Sequence, residues 1–182
     1  MTSVVDGWLR KANLAHADEP LLPSASFRLH RASIAMTIED GDGLSSLLDS
    51  VFSRDAEPTT VSMRLTPRNY QPGELVPPEF PPSNLYFGVD QEHRVAAVAL
   101  LAFDRDQRSH QWLPRGNAWR PDVAALAMDP TIPGDTPFPA DAYVTLAQLR
   151  EIVFGWAWGP VLPPDGTDWR RASEREVRWH WQ

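Results

Sequence analysis

The segment 84–104, NLYFGVDQEHRVAAVALLAFD, constrains the fold more than any other part of the chain. Its first arm places Leu85, Phe87 and Val89 at every second position, which is the period of a β-strand with one buried face. Its second arm is apolar over 95–103, a pattern typical of a strand that is covered on both faces. We therefore predict a central β-hairpin whose second strand lies in mid-sheet, with a helix on one side.

The rest of the chain supplies partners for this hairpin. Apolar and polar side chains alternate in stretches that predict further strands near 32–39, 61–66, 122–128 and 175–181. Apolar residues at helical spacing predict a short helix over 4–15 and longer helices near 44–53 and 145–156. Asp42 is the predicted N-cap of the first longer helix, and Thr145 with Gln148 forms a T-x-x-Q capping box for the second.

Proline and polar residues mark the connections. Pro20 and Pro23 are predicted to close the N-terminal helix. The segment 67–83 is too rich in proline to donate the hydrogen bonds of a sheet, so it is interpreted as an extended connector rather than a polyproline II ligand. The segment 105–120 is polar and rich in turn residues, and it is predicted to be a loop.

The length and composition of the chain favour one domain. It has 182 residues, of which 42% are hydrophobic, enough for one substantial core. We predict a single domain over 1–182 of the α+β class. Its sheet is single and largely antiparallel, with the central hairpin at 85–103 and the helices packed on it.

The net charge of the chain indicates which classes of partner it can bind. Lys and Arg number 17 against 24 Asp and Glu, so the net charge is −7. This surface repels the phosphate backbone, and we expect no nucleic-acid binding; it would attract a basic protein partner instead. A modest negative excess is also ordinary for a soluble domain, so the charge alone does not decide between these interpretations.

The residue types that carry out catalysis are sparse. The chain has no cysteine, which excludes disulfides, thiolate metal sites and a cysteine nucleophile. Its histidines occur singly, without H-x-H or H-x-x-x-H spacing, at His16, His30, His93, His110 and His180. No G-x-S-x-G motif or glycine-rich phosphate loop is present. We predict a protein that is not an enzyme and that holds no metal or cofactor.

The N-terminal residues, MTSVVDGWLRKANLAH, have neither a basic leader nor an apolar core of a signal peptide. No stretch of the chain approaches the roughly 18 apolar residues that a membrane span needs. The expectation is a cytoplasmic protein without a membrane partner. The oligomeric state is left open.

Tryptophan is the other unusual feature, with 8 residues in the chain. Tryptophan is enriched at binding hot spots because it buries a large rigid surface and keeps one hydrogen-bond donor. Trp112 and Trp119 lie among arginine and turn residues, where core and interface roles are both open. Asp104 and Asp106 could form a carboxylate pair at the end of the hairpin, or a solvated strand terminus.

The C-terminal half contains a short strand, NLYFGVD, a turn and a hydrophobic strand, RVAAVALLAF. A tryptophan-and-glycine passage, QWLPRGN, a proline-marked loop with FPADAYVTLAQLREIV, and a last strand ending in tryptophan follow. This order over about residues 84–182 resembles the first-numbered immunity-protein family of bacterial polymorphic toxin systems. The segment 155–173 is longer than the turn that the family commonly has between its final helix and strand.

The resemblance implies a protein that neutralises a cognate toxin, often a nucleic-acid deaminase. It implies scaffold or contact roles for Trp112, Gly116 and Trp181. An immunity protein needs a rigid surface complementary to its toxin and no catalytic group, which agrees with the acidic, cysteine-free composition. The predicted toxin-binding surface comprises Asp104, Asp106, Trp112 and Trp119. The alternatives are a secretion chaperone or adaptor, and a protein that binds a small ligand between the sheet and the helix from Thr145.

Overall fold

The computed structural model describes residues 9–10, 21–29, 32–53, 59–67, 83–103, 108–128, 137–159, 161–173 and 176. The described helices are α1, Gly41–Phe52, and α2, Leu146–Trp158. The described strands are β1 (Leu9–Arg10), β2 (Leu21–Leu29), β3 (Ala32–Thr37), β4 (Thr59–Pro67), β5 (Ser83–Asp90), β6 (Val95–Phe103), β7 (Ser109–Pro114), β8 (Tyr143–Thr145), β9 (Val161–Leu162) and β10 (Trp169–Arg171).

The main sheet has 8 strands in the order β10-β7-β6-β5-β4-β2-β3, with β8 added beside β6. All its described strand pairs are antiparallel. Strand β6 has two partners on one side, since its start pairs with β8 and its end pairs with β7. Strands β1 and β9 form a separate two-stranded sheet. The predicted α+β fold with a single largely antiparallel main sheet is confirmed.

The central hairpin is confirmed as β5 and β6, which pair from Ser83 with Ala102 to Asp90 with Val95. Every residue of β6 from Val95 to Ala102 is buried. The two faces of this strand belong to different hydrophobic clusters. The unbroken apolar run therefore reflects a mid-sheet strand covered on both sides, as predicted.

One face of the sheet is covered by the helices. Alternate residues of the hairpin, among them Phe87 and Val98, pack in one cluster with the buried faces of α1 and α2. The helix residues in this cluster are Leu44, Leu47, Leu48, Val51, Phe52, Leu146, Leu149, Ile152, Val153, Trp156 and Ala157. Their spacing matches the helical pattern of the sequence, so the predicted helix faces are the ones that the fold buries.

The opposite face of the sheet is covered by irregular chain. Val123, Met128 and Phe138 pack there against Tyr86 and the small residues of β6. The predicted strand over 122–128 is wrong, because the described residues there form only an isolated bridge from Ala127 to Pro137. The edge of β6 that such a strand could have joined is occupied by β8. The apolar residues of this segment are buried by lying over the sheet rather than by pairing with it.

Three other predictions need correction. Strand β7 lies inside the predicted loop 105–120, and β1 lies inside the predicted helix over 4–15, whose other residues are outside the described chain. The N-cap of α1 is Asp40 rather than Asp42, since the Asp40 side chain accepts a hydrogen bond from Gly43 N at 2.8 Å. The predicted connector 67–83 is described only at its ends. Of the predicted strand over 175–181 only Glu176 is described, in a turn.

Strand β2 contains Pro23, which was expected to end an element. Pro23 pairs with Leu65 of β4, and its carbonyl oxygen accepts a hydrogen bond from Ile38 N at 2.8 Å. In an antiparallel strand the N and O atoms of one residue point to the same side. The missing N–H of Pro23 therefore faces Ile38, one residue beyond β3, so only the reciprocal bond of this terminal pair is lost.

Polar side chains fix the positions of the helices. Gln91 and Arg94, in the turn between β5 and β6, donate to the carbonyl oxygens of Val51 at 3.0 Å and Phe52 at 3.1 Å. These bonds join the C-terminal end of α1 to the hairpin turn. Arg150 of α2 bonds Ser45 Oγ at 2.9 Å and also contacts Asp49. Gly41, at the start of α1, also lies close to Phe154 towards the end of α2, so the two helices are antiparallel.

The capping box of α2 is present as predicted, with Thr145 Oγ1 accepting from Gln148 N at 3.2 Å and Gln148 Oε1 accepting from Thr145 N at 2.9 Å. The C-cap of α2 is Gly159. Neither α1 nor α2 has the length and apolar composition that a helix needs to cross a membrane.

Arg170 of β10 is the centre of an ion-pair network. Its guanidinium contacts both carboxylate oxygens of Asp141, at 2.5 and 2.9 Å, and Glu176 Oε1 at 2.7 Å. Ser173 N and Oγ each donate to Glu176 Oε2 at 2.9 Å. The hydrogen bond from Arg170, supported by Ser173, lowers the pKa of Glu176 to about 2, and the same guanidinium lowers the pKa of Asp141.

This network predicts a pH-dependent stability. A carboxyl group whose pKa is lower in the folded chain stabilises it above the ordinary pKa of 4.5, and this contribution is lost as the pH falls toward 2. Glu176→Gln should lower the free energy of unfolding at pH 7 by up to about 1 kcal/mol, because solvent screens a partly exposed pair. Near pH 2 the variant and the wild type should be equally stable.

Urea denaturation at pH 7 and near pH 2 measures this difference. The control is Glu151→Gln, since Glu151 is exposed and has no ion pair with another described residue. Its stability should follow the wild type at both pH values. If Glu176→Gln keeps the full acid sensitivity of the wild type, the network does not contribute to stability.

Candidate functional site

The predicted site residues have separate locations in the structure. Asp104 and Asp106 lie outside the described residues, so their proposed contacts stay predictions. Trp112 and Trp119 are described, and their surroundings differ. Trp112 is 3% exposed, whereas Trp119 is 41% exposed.

Trp112 is a packing residue of β7. Its neighbours across the sheet are Leu100 of β6 and Arg171 of β10. Its ring stacks on His110 with 5.7 Å between centroids, and the Arg171 guanidinium carbon lies 4.9 Å from the ring centroid. A side chain enclosed in this way has little surface to offer a partner, so of the two predicted anchors only Trp119 is accessible.

Trp119 is exposed on a segment that the backbone holds firmly. Arg115 N donates to Asp168 O at 2.7 Å, Gly116 N to Asp141 O at 2.7 Å, and Ala118 N to Tyr143 O at 3.1 Å. Ala118 also packs against the core on the side of the sheet opposite the helices. These bonds fix the backbone on the N-terminal side of Trp119, and Val123 N closes a turn onto Arg120 O at 3.0 Å on its other side.

Gly116 permits this attachment. A Cβ atom at this position would lie 1.9 Å from the carbonyl oxygen of Tyr143, closer than any two such atoms can approach. Only glycine lets the segment run this close to β8. Among the residues singled out by the family resemblance, Trp112 and Gly116 thus have structural roles, and Trp181 lies outside the described residues.

A cluster of charged side chains lies beside Trp119. His93, in the hairpin turn, has Nδ1 at 2.8 Å from Asp90 Oδ2 and Nε2 at 3.8 Å from Asp122 Oδ2. Arg120 Nη2 is 3.4 Å from His93 O, which brings the Trp119 segment against the hairpin turn. The hydrogen bond to Asp90 raises the pKa of His93, and the charges of Asp90, Asp122 and Glu92 act in the same direction.

The candidate site is therefore at the turn end of the central hairpin. We call it the Trp119 surface and define it by Trp119, Arg120, Asp122, Glu92 and His93. It differs from the prediction, which placed the site at the end where β6 finishes. Strand β6 has 9 residues, so its two ends are about 26 Å apart. The sequence signal for the turn end was the dense polar run DQEHR, which was interpreted only as a turn.

The Trp119 surface combines charged side chains with an exposed aromatic ring. Its polar groups are two exposed carboxylates, one exposed guanidinium group and one partly exposed imidazole, and Trp119 adds an exposed indole ring. Within the described part of the chain, no group of three or more His, Cys, Asp or Glu side chains could hold a metal ion. Trp119 and Trp158 are the large hydrophobic side chains that the described chain exposes.

The resemblance to immunity proteins is a pattern of strands, loops and tryptophans, and two of the residues that carry it have structural roles. Comparison with known proteins identifies no relative of this chain. No protein-family model, no curated protein and no solved structure matches the chain.

Proposed function

We propose that this chain is an immunity protein that binds and neutralises a cognate bacterial toxin. The class of toxin implied by the resemblance is one that acts on nucleic acid, such as a deaminase. The observation that carries the proposal is the exposed and firmly held Trp119 within a charged surface. Binding, rather than a reaction, is the role that such an arrangement supports.

A tryptophan of this kind suits a tight interface. Ordering a flexible side chain or loop on binding costs about 0.5–1.5 kcal/mol for each side chain that is immobilised. The segment of Trp119 is already ordered by backbone hydrogen bonds to Asp168, Asp141 and Tyr143. The indole can therefore enter a pocket of the partner with a small entropy loss, which is the property of a hot spot.

The charges around Trp119 favour a basic partner. Glu92 and Asp122 are exposed carboxylates of this surface, and the whole chain has a net charge of −7. Enzymes that act on nucleic acid commonly have basic substrate sites, because they must attract phosphate. Arg120 gives the surface a mixed charge pattern, which favours specificity for one partner. Asp104 and Asp106 remain proposed contributors to the attraction.

The small-ligand alternative has less support. The face of α2 toward the sheet, where the cavity was expected, is filled by Leu149, Ile152, Val153 and Trp156, all of them buried. A cleft of about 400 Å³ lies instead between the C-terminal end of α1 and the N-terminal end of α2. Both of its arginines, Arg94 and Arg150, already bond other groups of the chain. The chaperone or adaptor alternative would use the same kind of surface as an immunity protein.

A growth assay separates these functions. Each gene beside the one that encodes this chain is expressed in a bacterial host, with and without the chain. We expect one neighbouring product to arrest growth and the chain to restore it. Trp119→Ala should restore growth poorly, because loss of a hot spot of about 2 kcal/mol weakens binding roughly 30-fold.

The matched control is Asn117→Ala, an exposed residue two positions from Trp119 on the same segment. It should protect like the wild type, and both variants should keep the wild-type unfolding midpoint. If no neighbouring product is toxic, or if the chain does not relieve the arrest, the immunity proposal is wrong.

A further inference from the structure

A second exposed tryptophan lies at the C-terminal end of α2. Trp158 is the last residue of α2 and is 41% exposed. Its ring contacts that of Phe154, one helical turn earlier, with 5.6 Å between centroids and 57° between the ring planes. Phe154 is partly buried against the core, so it holds the pair in place from one side. The two rings form an aromatic ledge at the end of the helix.

Three exposed carboxylates lie on the segments next to this ledge. Glu151 lies three residues before Phe154 and so on the same face of α2. The start of α1 is also close, since a Cβ atom on Gly41 would lie 3.8 Å from Phe154 Cε1. Glu39 and Asp42 lie within two residues of Gly41, and both are exposed. Among the described residues, these three carboxylates have no hydrogen-bond or ion-pair partner.

The fold does not account for Trp158. The residues of α2 that pack on the sheet are on its other face, and Trp158 belongs to neither hydrophobic cluster. Exposing a large indole beside unneutralised carboxylates does not stabilise a core. Large exposed apolar side chains rimmed by charge are instead characteristic of interaction sites.

We propose that the Trp158 surface, defined by Phe154, Trp158, Glu39, Asp42 and Glu151, binds an arginine-bearing segment of a protein partner. A guanidinium group can stack on the indole and pair with a carboxylate in the same plane. Arginine fits this surface better than lysine, because the ammonium of lysine is a compact and strongly hydrated charge that does not stack. The carboxylates of this surface match the positive charge of a guanidinium group, and the indole ring matches its flat shape. These two matches identify an arginine-bearing partner.

The Trp158 surface is separate from the Trp119 surface. The hairpin turn beside Trp119 bonds the C-terminal end of α1 at Val51 and Phe52, whereas Gly41 begins that helix. Helix α1 has 12 residues, which corresponds to a length of about 18 Å. The inference therefore goes beyond the proposed function, and either can hold without the other.

The test uses a synthetic peptide of nine residues in which arginine alternates with glycine. It is titrated at low salt into the full chain labelled with nitrogen-15, and the indole N–H signals are followed by NMR. The signal of Trp158, assigned with Trp158→Phe, should shift and saturate while that of Trp119 stays in place. The same peptide with lysine should bind at least about fivefold more weakly.

Matched variants decide between a site and general charge attraction. Trp158→Ala, and separately the triple change Glu39→Gln, Asp42→Asn and Glu151→Gln, should each raise Kd about tenfold. The control pair Asp165→Asn and Asp168→Asn removes charge from exposed positions outside both tryptophan surfaces and should leave Kd within about twofold. All variants should keep the wild-type unfolding midpoint, since the changed residues are exposed.

Two results would overturn the inference. One is a Trp158 signal that does not move, or that does not saturate, as the peptide is added. The other is a control pair that weakens binding as much, per charge removed, as the triple at the Trp158 surface, which would mean that the peptide responds only to the net charge of the chain.

Discussion

Replacing Trp112 by alanine is expected to lower the free energy of unfolding by about 3–5 kcal/mol, the usual cost of removing a large buried aromatic side chain. Trp112 is 3% exposed and belongs to the core on the helix side of the sheet. It lies between Leu100 and Arg171 on the neighbouring strands, so its loss opens a cavity beneath two strand pairs. Urea denaturation followed by circular dichroism measures the change.

The control is Trp119→Ala, the same substitution at an exposed position. It should change the free energy of unfolding by no more than about 0.5 kcal/mol. The contrast tests whether Trp112 serves folding and Trp119 serves binding. Equal and small effects of the two substitutions would contradict the burial of Trp112.

Gly116→Ala is expected to destabilise the chain by more than about 3 kcal/mol or to prevent folding, because the conflict is with backbone and not with a movable side chain. The added Cβ would meet the carbonyl oxygen of Tyr143 at 1.9 Å. Relief requires the segment to move away from β8, which breaks the bonds from Gly116 N to Asp141 O and from Ala118 N to Tyr143 O. Thermal and urea unfolding both report this loss.

Gly41→Ala is the matched glycine substitution. Its Cβ would lie at an ordinary contact distance of 3.8 Å from Phe154, in the first turn of α1. Alanine is favoured over glycine in a helix, so this variant should be as stable as the wild type or up to about 1 kcal/mol more stable. A Gly116→Ala variant that unfolds at the wild-type midpoint would show that the close approach to Tyr143 is absent.

Local signals in the sequence were sufficient for part of the fold. The period of two in β5 and the unbroken apolar run of β6 predict the hairpin, because the burial of a strand face sets its side-chain pattern. The capping box at Thr145 and the helical spacing of α1 and α2 are likewise local. These elements could be predicted because each one is specified within a dozen neighbouring residues.

Elements that depend on distant partners could not be predicted in this way. Strand β7, SHQWLP, has little alternation of its own and forms because β6 and β10 pair with its two edges. Strand β2 tolerates Pro23 only because β3 ends beside it. The segment 122–128 was predicted to be a strand, yet the edge it could have joined is taken by β8. In each case the tertiary arrangement outweighs the local pattern.

The same reason limits what the sequence predicts about the site. Trp112 and Trp119 both lie among arginine and turn residues, and only the register of β7 buries one and leaves the other exposed. The segment of Trp119 reaches the hairpin turn because β7 runs back along β6. The predicted helix near 145–156 ended before Trp158, whereas α2 continues to it and leaves it exposed.

The most direct test of the proposed function is the binding kinetics of the chain with the toxin that the growth assay identifies. For the wild type, association should slow as salt is added, because opposite charges steer the encounter. Trp119→Ala should mainly speed dissociation, by roughly 30-fold for a hot spot of about 2 kcal/mol, and Asp104→Arg with Asp106→Arg should mainly slow association. If these folded variants associate and dissociate like the wild type, the toxin is bound elsewhere. If the wild type does not bind the toxin, the chain is not its immunity protein.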